Sequence, residues 1–208
     1  MTLPAGDPLD LVDWRSRVAE LYAGVRAASD PRAAWERWRG ARDHLFATHP
    51  QSPLPAKDRT RFRGLSYFEH DPAARVLADV VPTPPEPIRI GGSAGQTFGA
   101  TRFAVASFKL SGAETRLELH WLEGYGGGLF LSFRDPTAGS ESYGAGRYLL
   151  DTVKGADLGA RDGRLVLDFN FAYNPSCAYD PRWACPLAPA ANRVATPIRA
   201  GERMPVAP

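Results

Sequence analysis

Cysteine is scarce in this chain, with only Cys177 and Cys185 among 208 residues. Two thiols cannot form a disulfide scaffold, and they supply half of a structural zinc site at most. The four histidines, His44, His49, His70 and His120, do not stand at metal-ligand spacing to them, so no metal or other cofactor is expected. The segment Met1–Asp13 has neither a basic n-region nor an apolar h-region, so a cytoplasmic protein with reduced thiols is expected. No run approaches the ~20 apolar residues that a membrane helix needs, which leaves no membrane partner. Charge of one sign is also missing, with 25 basic side chains against 23 acidic ones. That near balance, with no Lys/Arg run interleaved with aromatics, excludes nucleic acid as the expected partner. There is no Gly-x-Ser-x-Gly elbow, no His-Glu-x-x-His helix and no internal repeat.

Apolar residues make up 44% of the chain and aromatic residues 11%, enough for a packed core. The length suits one domain with a helical appendage or two small domains. Asp7-Pro8 reads as an N-cap followed by proline in the first turn, and Asp30-Pro31 repeats the signal. Leu11, Trp14, Val18, Leu21 and Val25 recur at spacings of three and four, as do Trp35, Trp38, Arg42 and Leu45. Each set lies on one face of a helix, and the second helix should stop before His49-Pro50. These stripes are too short for a partner-binding coiled coil and suit core packing.

From Gln51 the texture changes. Ser52-Pro53-Leu54-Pro55 and the run Pro82 to Pro87 break helices and read as crossings or linkers. Between them, Leu65–Phe68 and Arg75–Val80 read as short strands. Further strands are expected over Thr97–Leu110, Thr115–Leu122, Leu129–Arg134, Tyr143–Leu150 and Arg164–Phe171. Gly124 to Gly128 and Asp162-Gly163 are the turn signals among them. The fold class is therefore α+β: an N-terminal helical pair over residues 1–50, packed on a mainly antiparallel β-barrel or β-sandwich over 51–208, as one globular unit.

Strand periodicity places Leu165, Leu167, Phe169 and Phe171 on one face and Asp168 and Asn170 on the other. Leu129, Leu131 and Phe133 likewise share a face opposite Ser132 and Arg134. Were these strands neighbours, Arg134 would meet Asp168, either as an ion pair or at the polar mouth of a barrel. Gly144-Ala145-Gly146-Arg147 lacks the third glycine of a dinucleotide fingerprint and the Lys-Ser/Thr end of a P-loop. Its glycines instead mark a bulge or close backbone approach that re-aims Tyr143, Arg147 and Tyr148. Cys177 and Cys185, with seven residues between them, read as buried reduced thiols; a thiol or metal role is the rival. His70-Asp71 and His120 are further acid/base candidates.

The ordered series Phe133–Gly139, Ser142–Tyr148, Leu167–Asn170, Tyr173-Asn174-Pro175, Cys177-Ala178-Tyr179, Cys185-Pro186-Leu187, Asn192-Arg193 and Ala200-Gly201-Glu202 resembles the bacterial family known as domain of unknown function 1684. Trp14-Arg15, Ser52-Pro53-Leu54 and Phe62–Leu65 extend the likeness over nearly the whole chain. Ala191 departs from it, because the family pattern carries an acidic residue there, before Asn192. The resemblance implies kinship without a mechanism and assigns no catalytic residue.

Two functions fit these residues. In the first, the protein binds a small, anionic molecule, with Asp168 as acid/base and Arg134 and Arg147 stabilising negative charge if it is an enzyme. Asp135, Tyr143, Tyr148, Asn170, Tyr173 and Asn174 would line that pocket and orient the ligand. In the second, the protein is a non-catalytic interaction or structural protein in which Arg134, Asp135, Arg147 and Asp168 form an internal ion-pair network. The sequence leaves oligomeric state open.

Overall fold

The computed structural model describes residues 7–124 and 127–205. Residues 125 and 126 of the Gly124–Gly128 turn, and the first six of Met1–Asp13, lie outside the described residues. Helix α1 runs Pro8–Ala27 and helix α2 runs Pro31–Thr48. The Asp7 carboxylate accepts from the Leu9 N–H at 2.9 Å, and Asp30 accepts from Arg32 and Ala33 at 2.9 and 3.1 Å. Each cap satisfies donors that the first turn leaves open, and each following proline has no N–H to lose. The second helix ends before His49-Pro50, where the proline disfavours helical geometry in the residue ahead of it. The buried faces are Val18, Tyr22 and Val25 on α1, and Ala34, Trp35, Trp38, Arg42, Leu45 and Phe46 on α2. A single turn, α3, follows at Ala56–Arg59. No helix among the described residues is long and apolar enough to cross a membrane.

Seven strands follow: β1 (Arg75–Gly91), β2 (Thr97–Leu110), β3 (Ala113–Leu122), β4 (Gly128–Phe133), β5 (Arg147–Asp151), β6 (Ala160–Arg161) and β7 (Arg164–Asp168). They form one antiparallel sheet in the order β5-β4-β3-β2-β1-β7-β6. The sheet is not closed, but its edge strand β5 meets the chain beyond β7 through one antiparallel bridge, Tyr148 to Tyr173. One face buries Ala104, Ala106, Phe108, Leu117, Leu119, Leu131 and Phe133 under the C-terminal segment with Val194, Ile198 and Ala200. The other face packs Ile90, Ala100, Phe130, Tyr148, Val166 and Phe171 against Tyr22, Trp35 and Trp38 of the helices. One apolar core thus joins the helical pair to the sheet, giving the α+β architecture.

Several elements differ from the sequence reading. Pro82–Pro87 is no linker, because β1 runs through it with its register to β2 shifting between Pro82 and Glu86. Over this stretch β1 pairs only with β2, so the missing proline N–H groups fall at an edge and a bulge, where strands tolerate them. Leu65–Phe68 is not a strand; it makes a single bridge, Tyr67 to Glu202. The strand expected over Tyr143–Leu150 begins only at Arg147, after the turn through Gly146. That expected over Arg164–Phe171 ends at Asp168, and Phe169–Phe171 is a 3-10 turn. The turn breaks the alternation, so Phe169 enters the core beneath the C-terminal segment while Phe171 enters the helix-side core.

Candidate functional site

Strand β4 pairs with β3 and β5, whereas β7 pairs with β1 and β6. Arg134 and Asp168 therefore do not meet. Arg134 is exposed, its backbone bridging to Arg193. Asp168 is 1% exposed at the opposite end of the sheet order. Its Oδ1 accepts from the Asn170 backbone at 3.0 Å and from the Asn170 side chain at 2.8 Å. Its Oδ2 has no hydrogen-bond partner; the Arg75 guanidinium stands 3.8 Å away. Burial raises the Asp168 pKa, with the two Asn170 bonds opposing the shift. A cleft of about 200 Å³ is lined by Asp168, His70, Arg75 and Asp30. Asn170 turns away from it to tie the Asp71 backbone, accepting from Asp71 N at 2.9 Å and donating to Asp71 O at 2.7 Å.

Arg147 sits elsewhere and is 1% exposed. One terminal nitrogen donates to the carbonyls of Ala200 and Glu202. The other donates to the Ile198 carbonyl at 2.8 Å and to Asp135 Oδ1 at 3.3 Å. Asp135 in turn accepts from Ile198 N at 2.7 Å and from the Thr137 hydroxyl at 3.0 Å. Burial lowers the Arg147 pKa and the Asp135 carboxylate opposes that shift. Gly146 makes this placement possible. Its φ is +96°, and a Cβ there would lie 2.5 Å from the Phe133 carbonyl oxygen. The pair fastens the C-terminal segment over the core, with both terminal guanidinium nitrogens engaged by the protein.

Tyr148, Tyr173 and Asn174 come together at a different place. A cavity of about 190 Å³ lies between the helical pair and the loops after β5 and β7. Trp14, Val18, Phe46 and Trp183 supply its apolar lining, and Tyr22, Tyr173, Asn174, Lys154, Arg42 and Arg15 its polar lining. The hydroxyls of Tyr22 and Tyr173 and the Asn174 side-chain oxygen are buried without hydrogen-bond partners. Such groups are costly to bury unless something pairs with them. Tyr148 stacks edge-on against Tyr173 at 5.7 Å, and its own hydroxyl is committed to the Pro186 carbonyl.

Three cations and no carboxylate line this cavity among the described residues. Arg42 is held by Glu202, which is fully buried and also accepts from Asn174 N and the Tyr179 hydroxyl, each at 2.7 Å. Burial works against the Arg42 charge, but Glu202 overcomes it and raises its pKa. The Arg42 guanidinium lies 5.1 Å from the Tyr173 ring centroid. Lys154 pairs with Asp151 at 3.0 Å, which raises its pKa against the effect of burial. Its ammonium has three donors, so donors remain beyond that pair. Burial pushes the Tyr173 pKa far up and nearby Asp151 adds to the shift, keeping the phenol protonated and able to donate.

Tyr143 stands apart from the cavity lining. Its hydroxyl lies 3.8 Å from Cys177 Sγ, and burial, with that thiol, pushes its pKa up to about 12. His120 is fully buried beside Glu118, burial lowering its pKa. No group of three or more His, Cys, Asp or Glu side chains among the described residues has the arrangement of a metal site.

Sequence reasoning did not place Tyr22, Arg42 and Lys154 in this cavity, nor Asp151 and Glu202 as the carboxylates that hold two of its cations. Two of these carried a signal: Glu202, an acid in the Ala200-Gly201-Glu202 segment, and Arg42, a charge on an otherwise apolar helical stripe. Asn192 was also left without a role. It is fully buried, donates to the Ser132 and Glu118 carbonyls at 2.9 and 3.0 Å and accepts from Glu118 N at 2.7 Å, tying β3 to β4.

No curated protein matches this chain. Among solved structures it is similar to the solution NMR structure of an uncharacterized protein from Haloarcula marismortui, at 35% identity and a TM-score of 0.56. That alignment covers 95% of this chain and 97% of the other. The model of the protein family of unknown function DUF1684 matches residues 60–203, which include Arg147, Asp168, Tyr173, both cysteines and Glu202. The chain belongs to the DUF1684 family.

Proposed function

We propose that this chain is a cytoplasmic protein that binds a small organic acid with an apolar body in the cavity between the helical pair and the sheet. The observation that carries this reading is the unpartnered Tyr173 hydroxyl in a cavity lined by three cations and no carboxylate. The acid group of the ligand accepts from Lys154 and from the Tyr22 and Tyr173 hydroxyls, while a donor on the ligand meets the Asn174 oxygen. Trp14, Phe46 and Trp183 enclose the apolar part. Arg134 and Arg147, the anion clamps expected from sequence, take no part. Asp168 lies outside this cavity, so an acid/base role for it belongs to the separate cleft with His70.

Titration calorimetry with aryl and branched-chain carboxylic acids, beside their neutral amides, tests the reading. A charge-assisted hydrogen bond contributes ~1.5–3 kcal/mol, so Lys154→Met should weaken binding by roughly tenfold or more. Acids that bind no better than their amides, or equal affinity in wild type and variant, would sink the anionic ligand. The second reading, a non-catalytic interaction or structural protein, draws support from Arg147 and Asp135, whose bonds are all internal. It predicts that every acid in the series fails to bind.

A further inference from the structure

A second cleft lies apart from the helix-side cavity, where three separately held pieces of chain converge. The start of α2 supplies Asp30, Pro31 and Arg32, and the turn ahead of β1 supplies His70 and Pro72. Strands β1 and β7 supply Arg75 and Asp168, which are paired across the sheet. Each piece is fixed. Asp30 caps α2, and Asp71 caps the 3-10 turn Pro72–Ala74 by accepting from Ala73 N at 2.9 Å. The Asn170 side chain bonds both to Asp71 and to Asp168. The His70 ring lies 5.3 Å from that of Trp35, whose Nε1 donates to the Asn170 carbonyl at 2.9 Å.

This packing leaves the Asp168 carboxylate incomplete. Its side chain has no exposure to solvent, yet only Oδ1 is bonded, and to Asn170, which does not line the cleft. Oδ2 has no donor. The Arg75 guanidinium stands 3.8 Å from it, beyond hydrogen-bond distance, on a side chain that is one-third exposed. A buried carboxylate oxygen without a donor is costly, and a ligand that brings one relieves the cost. Burial also raises the Asp168 pKa, which a cation in contact would oppose.

Charge around the cleft is balanced, Arg32 and Arg75 standing against Asp30 and Asp168. Arg75 makes no other ion pair among the described residues, and Arg32 holds Glu36 through Nε at 3.2 Å, which leaves its terminal nitrogens. The positive end of the α2 dipole adds to the cationic side. A simple cation or a simple anion leaves one set unmatched, whereas a molecule carrying both charges matches the two. Size narrows the class further. The cleft holds about 200 Å³, against ~30 Å³ for one water in the liquid, which is room for roughly six or seven heavy atoms.

We propose that this cleft binds a small zwitterion of the α-amino acid class, its ammonium donating to Asp168 Oδ2 and its carboxylate accepting from Arg75 and Arg32. Pro31 and Pro72 bound the space left for the ligand's side chain. Arg75, with its exposed side chain, is the group that moves: it swings off Asp168 to hold the carboxylate by two parallel bonds as the ammonium takes its place. The ligand carries no net charge, unlike the acid proposed for the helix-side cavity, and neither reading depends on the other.

Titration calorimetry of the full chain with alanine, beside propionate and ethylamine, tests the assignment. Alanine should bind at least tenfold more tightly than either fragment, since each lacks one of the two charge-assisted contacts. Tryptophan should be excluded by size. Asp168→Asn and Arg75→Gln should each weaken alanine by tenfold or more, and Lys154→Met should leave it unchanged. Arg75 is partly exposed, so its variant reads binding even if Asp168→Asn fails to fold. Wild type that binds no alanine, glycine or serine, ethylamine or propionate that binds as well as alanine, or equal affinity in Arg75→Gln would overturn the proposal. Loss of alanine in Lys154→Met alone would also overturn it, by moving the ligand to the other cavity.

Discussion

Arg147 and Asp168 are both buried ionisable groups, yet their surroundings give them opposite consequences. The Arg147 guanidinium spans three carbonyls and a carboxylate, which a lysine ammonium cannot do from one point. Removing it leaves Asp135 buried without its cation and orphans the carbonyls of residues 198, 200 and 202. Arg147→Ala should therefore cost about 3–5 kcal/mol in urea unfolding, as loss of one partner from a buried pair does, and Arg147→Lys should recover little of it. Asp168 has a raised folded pKa, so the folded state holds its proton more tightly than the unfolded chain. Its contribution is favourable in acid and is lost as pH climbs from the unfolded value through the folded one. Asp168→Asn, which keeps an acceptor for Asn170, should gain stability relative to wild type as pH rises from about 4 toward neutrality. Parallel urea curves across that range check the sign; a constant difference would contradict it.

At the scale of elements, the turn before β5 shows how much one glycine can decide. Gly144 and Gly146 look alike in the sequence, but a Cβ at Gly144 would meet nothing closer than 3.6 Å, whereas one at Gly146 would strike the Phe133 carbonyl. Gly144→Ala should be close to neutral, and Gly146→Ala should cost roughly 1–3 kcal/mol and loosen the C-terminal segment by tilting Arg147. Thermal unfolding of the two variants side by side reads this difference. The helical pair was fully legible because Asp-Pro caps and three-four spacing are local signals that tertiary packing here reinforces. The long strands β2 and β3 were legible by their alternation. The proline run in β1 was not, because whether a proline breaks a strand depends on which edge its missing N–H faces, a property of pairing rather than of sequence. Phe169–Phe171 escaped for a related reason: the Asn170 N–H bonds to the Asp168 side chain, closing a turn where alternation suggested more strand.

For the molecule as a whole, the proposed site is built by convergence. Tyr22 comes from α1, Arg42 from α2, Lys154 from the turn after β5, Tyr173 and Asn174 from beyond β7, and Glu202 from the C-terminal segment. Tyr173 and Asn174, expected from the polar-aromatic stretch after β7, do line this cavity. Tyr22 and Lys154 were not expected, since neither spacing nor composition brings residues from such distant parts of the chain to one cavity. The sequence also grouped Arg134, Asp135, Arg147 and Asp168, which the sheet order distributes among an exposed edge, a buried clamp and a separate cleft. On the proposed binding reading, an acid that fills the cavity should raise the melting temperature and do so less in Tyr173→Phe.

Native mass spectrometry of the protein purified gently from its host, beside Lys154→Met, tests the binding cavity most directly. An acidic small molecule that travels with the wild-type protein and is lost from the variant is the predicted result. A retained molecule in the Lys154→Met variant, or one lost only when Arg134 or Asp168 is changed, would place the ligand elsewhere and contradict the assignment of this cavity.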